Sequence, residues 1–165
     1  MAFDAFIRID GIEGESSDRE YRGWIEIMDF GLGVQQRPLP IPSSAGGIAV
    51  DRADFSDFMI RKPVDVASPL LALSCAAGTH IDEVVVALCR AGSEKAKFME
   101  YHITNCIISR FRVYGADQYG FAFPVESVGI HFASIRWCYI QQSRKGGYAA
   151  GNIAAGWDLQ RNCKM

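Results

Sequence analysis

The chain has 165 residues, of which 49% are hydrophobic and 22% are charged. These values are typical of a soluble globular protein, and the length predicts one domain over residues 1–165 with a sizeable core. The net charge of −2 excludes the basic field that nucleic acid or an anionic membrane surface requires, and the longest apolar runs fall short of 18 residues, so we predict no nucleic-acid partner and no membrane insertion.

The first segment alternates apolar and polar residues. Ala5, Ile7 and Ile9 share one face with Phe3, as in a half-buried strand. Asp4 interrupts this apolar run, so we expect no signal peptide. Similar patterns recur in the ranges 23–30, 49–60, 81–89, 97–104, 106–114 and 128–140. About seven strands joined mostly by short turns predict a mainly β protein, an antiparallel sandwich or barrel.

One segment, residues 67–80, has the pattern of a helix. Ser68 is the predicted N-cap, Pro69 the first helical residue and Gly78 the stop, with an Ala/Leu-rich body of about 9 residues between them. The apolar residues of this segment would lie on almost all sides of the helix. We therefore expect it to lie buried against the sheet or at an interface.

The segment 34–47 contains Pro38, Pro40 and Pro42 at intervals of two residues. This spacing favours an extended arm without sheet hydrogen bonds, and its apolar residues favour a surface on which the arm can lie.

The strand that contains VVVALC is apolar on both faces. Val84, Val86 and Leu88 lie on one side, and Val85 and Ala87 lie on the other with Cys89. A strand in the wall of a small barrel exposes one face, so the helix or another subunit is expected to cover the second face.

Five cysteines are present, an odd number without a C-x-x-C pair, which argues against a disulfide framework or a zinc site. Cys75, Cys89, Cys106 and Cys138 are expected to be packing residues, and Cys163 to be exposed. His80 and Asp82 share a strand face, as a base and its orienting carboxylate would, but a recognisable nucleophile motif is missing. We predict no catalytic, cofactor or metal site; a small cytosolic thiol enzyme and a ligand-binding β-barrel stay open as alternatives.

The segment GIHFASIRWCYIQQ, residues 129–142, places His131 seven positions before Cys138. An odd separation on a strand puts two side chains on opposite faces. The face that contains Ile135, Trp137 and Tyr139 is the predicted core or protomer contact.

The whole chain resembles the Hcp proteins, the hemolysin-coregulated tube proteins of bacterial type VI secretion systems. The matching segments occur in family order, and they are FDAFIRIDGIEGES, GWIEI, SSAGG, DFSDFMIRK, ASPLLALSCAAGTHI, VVVALCRAG, MEYHITNCIISR, IRWCYIQQ and AAGWDLQRN. The resemblance implies a β-barrel of two packed antiparallel sheets with one short helix, assembling into hexameric rings.

The resemblance also implies a function. Rings stack into a tube that leaves the bacterial cytoplasm without a signal peptide and reaches the extracellular space or a target cell. The implied partners are further copies of the chain, spike, sheath and baseplate proteins, and small effectors carried in the ring lumen.

Particular residues receive roles from the same resemblance. The arm 36–47 is similar to a loop that projects toward the next ring, with Leu39, Pro40 and Ile41 as its contacts. The strand 24–31 is similar to one that lines the pore, and Gly31 occupies a position that faces the lumen.

Overall fold

The structure, a computed structural model, describes residues 3–38, 51–92, 95–115, 123–142 and 149–165. These described residues contain twelve strands and one helix. In chain order these are β1 (Phe3–Ile9), β2 (Ile25–Ile27), β3 (Asp29–Gly31), β4 (Val34–Gln35), β5 (Asp54–Phe55), β6 (Phe58–Pro63), α1 (Ser68–Ala77), β7 (His80–Arg90), β8 (Lys97–Tyr114), β9 (Val125–His131), β10 (Ser134–Gln142), β11 (Ala149–Asp158) and β12 (Cys163–Lys164). The mainly β, antiparallel prediction with one short helix is confirmed.

Ten strands form one sheet, and β4 and β5 form a second, two-stranded sheet. The main path of the large sheet is β12-β11-β10-β8-β7-β1-β2, and a branch connects β8 to β9, β6 and β3. Among the described residues this pairing is open and branched, so the prediction of a closed barrel is wrong. At Met28, between β2 and β3, the chain leaves its pairing with β1 and begins to pair with β6, and Met28 N donates to Arg61 O at 2.8 Å.

The strand β8 is 18 residues long and replaces the two strands predicted for 97–104 and 106–114. The residue between those ranges, Asn105, has a φ of 60°, and asparagine adopts this left-handed conformation more readily than most residues. Both β9 and β10 pair with β8 on the edge opposite β7. The predicted strand 128–140 is therefore broken at Phe132 and Ala133, opposite Asn105.

The interior between the strands is filled by apolar side chains. Fully buried aliphatic and aromatic residues come from both branches of the sheet, and they include Ile7, Ile25, Phe58, Ile60, Ile103, Ile130 and Ile135. A ligand-binding barrel needs an open cavity in this place. The packed core of the described residues therefore contradicts the ligand-binding alternative.

The second face of β7 is covered by the same chain. Ala87 and Cys89 pack with Phe6 and Tyr21, and Trp24 lies against this cluster. The rings of Phe6 and Tyr21 stack with centroids 4.5 Å apart. The segment before β2 therefore covers the face for which we predicted the helix or another subunit.

Helix α1 ends at Gly78, whose φ of 61° allows the left-handed cap, as predicted. Its N-cap is Ala67 rather than Ser68, because the Ser68 hydroxyl is bonded elsewhere. Leu71 is fully buried, whereas Leu70 and Leu73 are exposed. The helix thus buries one side on the sheet and leaves an apolar outer side.

A buried ionic cluster joins the start of α1 to β6 and β9. Lys62 is 0% exposed and Glu126 is 1% exposed, and Lys62 Nζ lies 2.9 Å from Glu126 Oε2. Lys62 Nζ also lies 2.7 Å from Asp65 Oδ1 and donates to Pro63 O at 2.8 Å. Ser68 Oγ donates to Glu126 Oε2 at 2.8 Å. Each charge in the cluster is therefore paired, which is the condition for placing charges in a core.

Gly14 lies against the backbone of the segment that leads into β2. A Cβ added to Gly14 would lie 2.3 Å from Trp24 O and 2.5 Å from Ile25 N. We expect Gly14→Ala to lower the free energy of unfolding by about 1–3 kcal/mol, because backbone atoms cannot move aside as a side chain can. Urea titration measures the change. Gly31→Ala is the matched control, since a Cβ at Gly31 meets no atom within 4 Å, and equal losses in the two variants would contradict this explanation.

Candidate assembly surfaces

The buried thiols lack the surroundings of a nucleophile. Burial, together with a smaller contribution from the nearby Asp10 charge, raises the pKa of Cys106 to about 12. Burial also raises the pKa of Cys89, whose Sγ donates to Tyr21 Oη at 3.2 Å. A reactive cysteine needs a lowered pKa. Cys75 and Cys138 are half-buried and Cys163 is exposed.

The predicted pair of His80 and Asp82 forms, but both side chains are exposed to solvent. His80 Nε2 lies 3.2 Å from Asp82 Oδ1, and the two side chains are 56% and 87% exposed. His131 is also exposed and lies at the end of β9, whereas Cys138 lies in the next strand, β10, which begins at Ser134. Neither histidine meets a cysteine in the described residues, so the geometry offers no support for a thiol enzyme.

His131 instead belongs to a small polar cluster. Its Nδ1 lies 2.9 Å from Asp57 Oδ1, and Ser109 Oγ donates to Asp57 Oδ2 at 2.6 Å. Burial raises the pKa of Asp57, but the hydrogen bonds from Ser109 and His131 outweigh burial and hold this pKa below its usual value. The serine contacts the carboxylate rather than the histidine, so this is not the order of a Ser-His-Asp triad.

This cluster predicts a pH effect on stability. Since the folded pKa of Asp57 is below its unfolded value of about 3.9, its contribution is present above that value and is lost as pH falls through the folded pKa. Asp57→Asn should therefore lower the free energy of unfolding at pH 7 by up to about 1 kcal/mol after screening, and by less at pH 3. Denaturant titrations across this pH range measure the difference. Ser109→Ala should show the same trend with smaller amplitude, and a difference independent of pH in both variants would contradict the assignment.

Hydrogen bonds join the residues that precede the predicted arm to those that follow it. Asp51 N donates to Arg37 O at 3.3 Å, and Val34–Gln35 pairs with Asp54–Phe55 as the two-stranded sheet. The start of the range 34–47 is therefore a strand, which corrects the prediction of an arm without sheet bonds. Leu39, Pro40 and Ile41 lie outside the described residues.

The three residues predicted on one face of β10 differ in burial. Ile135 is fully buried, Trp137 packs against the core, and Tyr139 is 43% exposed. Of the three, Trp137 also borders a groove of about 680 Å³. The groove is lined by Val34, Phe55, Trp137, Ala155 and Trp157, among others.

The neighbouring strand β11 presents an open edge next to this groove. Residues 151–155 pair with β10 on one side, whereas β12 covers only Trp157 and Asp158 on the other side. Among the described residues, the outer backbone edge of 151–155 has no strand beside it. Ile153 on this edge is 69% exposed and lies opposite Tyr139. Sequence patterns missed β11 because its run AAGNIAAG is built mainly of small residues with low strand preference.

Gly31 is exposed at the end of β3 and pairs with Met59 of β6. A Cβ at this position would meet nothing within 4 Å, so the space in front of Gly31 is open. The structure thus places Gly31 on an accessible sheet face, far along the sheet from β11.

The fold and these surfaces describe a β protein with an exposed apolar sheet edge and with a two-stranded sheet at the base of the predicted arm. The family model described as "Type VI secretion system effector, Hcp" matches residues 6–139. The chain belongs to the Hcp family of type VI secretion system tube and effector proteins, a structural and secreted family.

Individual relatives agree with this assignment. Protein hcp1 of Pseudomonas aeruginosa strain PAO1 is 24% identical over 163 residues, which are 98% of each chain. A solved type six secretion system protein superposes with a TM-score of 0.90 at 28% identity, over 99% of this chain and 100% of the other. Hcp1 from Salmonella typhimurium superposes with a TM-score of 0.78 at 26% identity over 100% of both chains. The part of the chain that the structure describes contains no helix long and apolar enough to cross a membrane.

Proposed function

We propose that this chain is the building unit of a type VI secretion tube. Six copies close into a ring, rings stack into the inner tube, and the lumen carries small effectors. The tube is assembled in the bacterial cytoplasm, in contact with sheath, spike and baseplate proteins, and is then delivered outside the cell. The chain acts as one domain over residues 1–165 and has a structural role rather than a catalytic one.

The observation that carries this proposal is the open edge of β11. Its described residues 151–155 contain neither a charge nor a proline, the devices by which monomeric proteins usually protect an edge strand. The edge is continuous with the exposed apolar side chains of Tyr139 and Ile153. A second copy that covers this edge with a different part of its surface makes a heterologous contact, and such contacts close into rings when the rotation permits.

The residues predicted from the sequence receive separate roles in this proposal. Tyr139 and Trp137 form the protomer contact, whereas Ile135 supports them from the core. Leu39, Pro40 and Ile41 contact the next ring, and the hydrogen bond between Asp51 and Arg37 supports this role because it fixes the point from which the arm departs. Gly31 faces the lumen, which is supported by the open space in front of it.

Native mass spectrometry of the purified protein tests the proposal. The expected species has six times the mass of the 18.2 kDa chain. A stable monomer at micromolar concentration, with no larger species, would contradict it.

A further inference from the structure

The sheet face that carries Gly31 also carries arginines. Residues paired directly across strands point to the same face of a sheet. The row through Gly31 continues through Met59 and Gly129 to Arg110. The face is therefore continuous from β3 across β6 and β9 to the C-terminal half of β8.

The adjacent row on the same face adds two more guanidinium groups. Arg61 on β6 pairs with Ser127 on β9, which pairs with Arg112 on β8. With strands about 4.8 Å apart, the Cα atoms of Arg61 and Arg112 are separated by roughly 10 Å, and those of Arg110 and Arg112 by roughly 7 Å. We call Arg61, Arg110 and Arg112 the basic strip.

Side chains pack closely around Gly129 on this face. A Cβ added to Gly129 would lie 3.0 Å from Met59 Sδ and from Ser109 Oγ and 3.1 Å from Arg110 Cβ. Ser127 supplies the small residue of the next row, between Arg61 and Arg112. No bulky side chain on β9 therefore separates the arginines of the basic strip.

Two guanidinium groups of the basic strip are available for a partner. Arg110 and Arg112 are exposed, and within the described ranges neither forms an ion pair or a side-chain hydrogen bond. The nearby carboxylate of Asp57 is already bonded to His131 and Ser109, and Asp29 Oδ1 accepts from Phe30 N. Guanidinium groups bind carboxylates through two parallel hydrogen bonds.

We propose that the basic strip binds carboxylate groups on an acidic protein segment, so that a protein carried as cargo has such a segment. This inference rests on the proposed function, which places the Gly31 face in the ring lumen. An acidic protein fits better than nucleic acid because the whole chain has a net charge of −2, and because Asp29 and Asp57 lie on or beside the same face. Those carboxylates weaken the continuous basic field that a phosphate backbone requires, whereas two guanidinium groups are enough to bind individual carboxylates on a protein segment.

Fluorescence anisotropy with a labelled decaglutamate peptide tests this inference on the purified full chain in low-salt buffer. The variant with Arg110→Gln and Arg112→Gln is expected to bind the peptide at least tenfold more weakly than the unchanged chain. The variant with Arg19→Gln and Arg136→Gln is the matched control, because it removes the same two charges from exposed positions outside the basic strip and should leave affinity unchanged. A labelled ten-nucleotide oligothymidine is the second probe and is expected to bind more weakly than the peptide.

Three results would overturn the inference: absence of peptide binding to the unchanged chain, an equal loss in the variant with Arg19→Gln and Arg136→Gln, or tighter binding of the oligothymidine than of the peptide. Native mass spectra of the same samples separate this test from the proposed function. Rings without peptide binding contradict the basic strip alone, whereas peptide binding by a protein that never forms rings contradicts the tube.

Discussion

Lys62→Met is expected to lower the free energy of unfolding by about 3–5 kcal/mol, which is a large part of the stability of a protein of this size. The substitution leaves Glu126 and Asp65 in the interior without the ammonium group that lies 2.9 and 2.7 Å from them. A methionine fills most of the lysine volume, so the loss comes from the uncompensated charge rather than from a cavity. Urea titration at pH 7 gives the value.

Two variants make this prediction specific. Arg8→Met removes a cation from the exposed pair with Glu83 and should change stability by less than about 1 kcal/mol. Adding Glu126→Gln to Lys62→Met removes one of the stranded charges and should recover part of the loss, since the partners act as a unit. A loss below 1 kcal/mol in Lys62→Met would show that the cluster contributes little.

Ile153→Asp is expected to abolish ring formation while the folded chain keeps its stability. The side chain is 69% exposed in the isolated chain, so an aspartate meets water there and unfolding should change by no more than about 0.5 kcal/mol. In an assembly that covers the β11 edge, the same carboxylate is buried without a partner at a cost of several kcal/mol. Native mass spectrometry and urea titration report the two effects separately.

Val66→Asp is the control for this result. Val66 is an exposed apolar residue before α1, away from β11, and a charge there should leave the rings intact. If the Ile153→Asp variant still forms intact rings, β11 is not part of the protomer contact.

Much of the fold follows from periodicity. The alternation in residues 3–9 predicts β1, and the pattern of Pro69 and Gly78 predicts the single helix with its observed end and to within one residue at its start. The strand is predictable because one face contacts the core, and the helix because its first and last residues are typical of helix ends. The pattern also places an interruption at Asn105, but it does not show that β8 continues through this residue, whose neighbours on both sides keep their strand pairing.

The surfaces were less predictable than the strands. Gly31 was singled out through resemblance to a family and the β10 residues through strand alternation, but no pattern indicates that Lys62 is buried, since lysine is almost always exposed. Its partner Glu126 lies 64 positions away, and their contact depends on the pairing of β6 with β9. Arg110 and Arg112 share a face with Gly31 only through the same long-range register.

Electron cryomicroscopy of the purified protein tests the central claim most directly. The account predicts rings of six copies, with the β11 edge of each copy covered by its neighbour and with Gly31 and the basic strip facing an open central lumen. Isolated monomers, or a closed assembly in which residues 151–155 stay exposed and Gly31 lies on the outer wall, would contradict it.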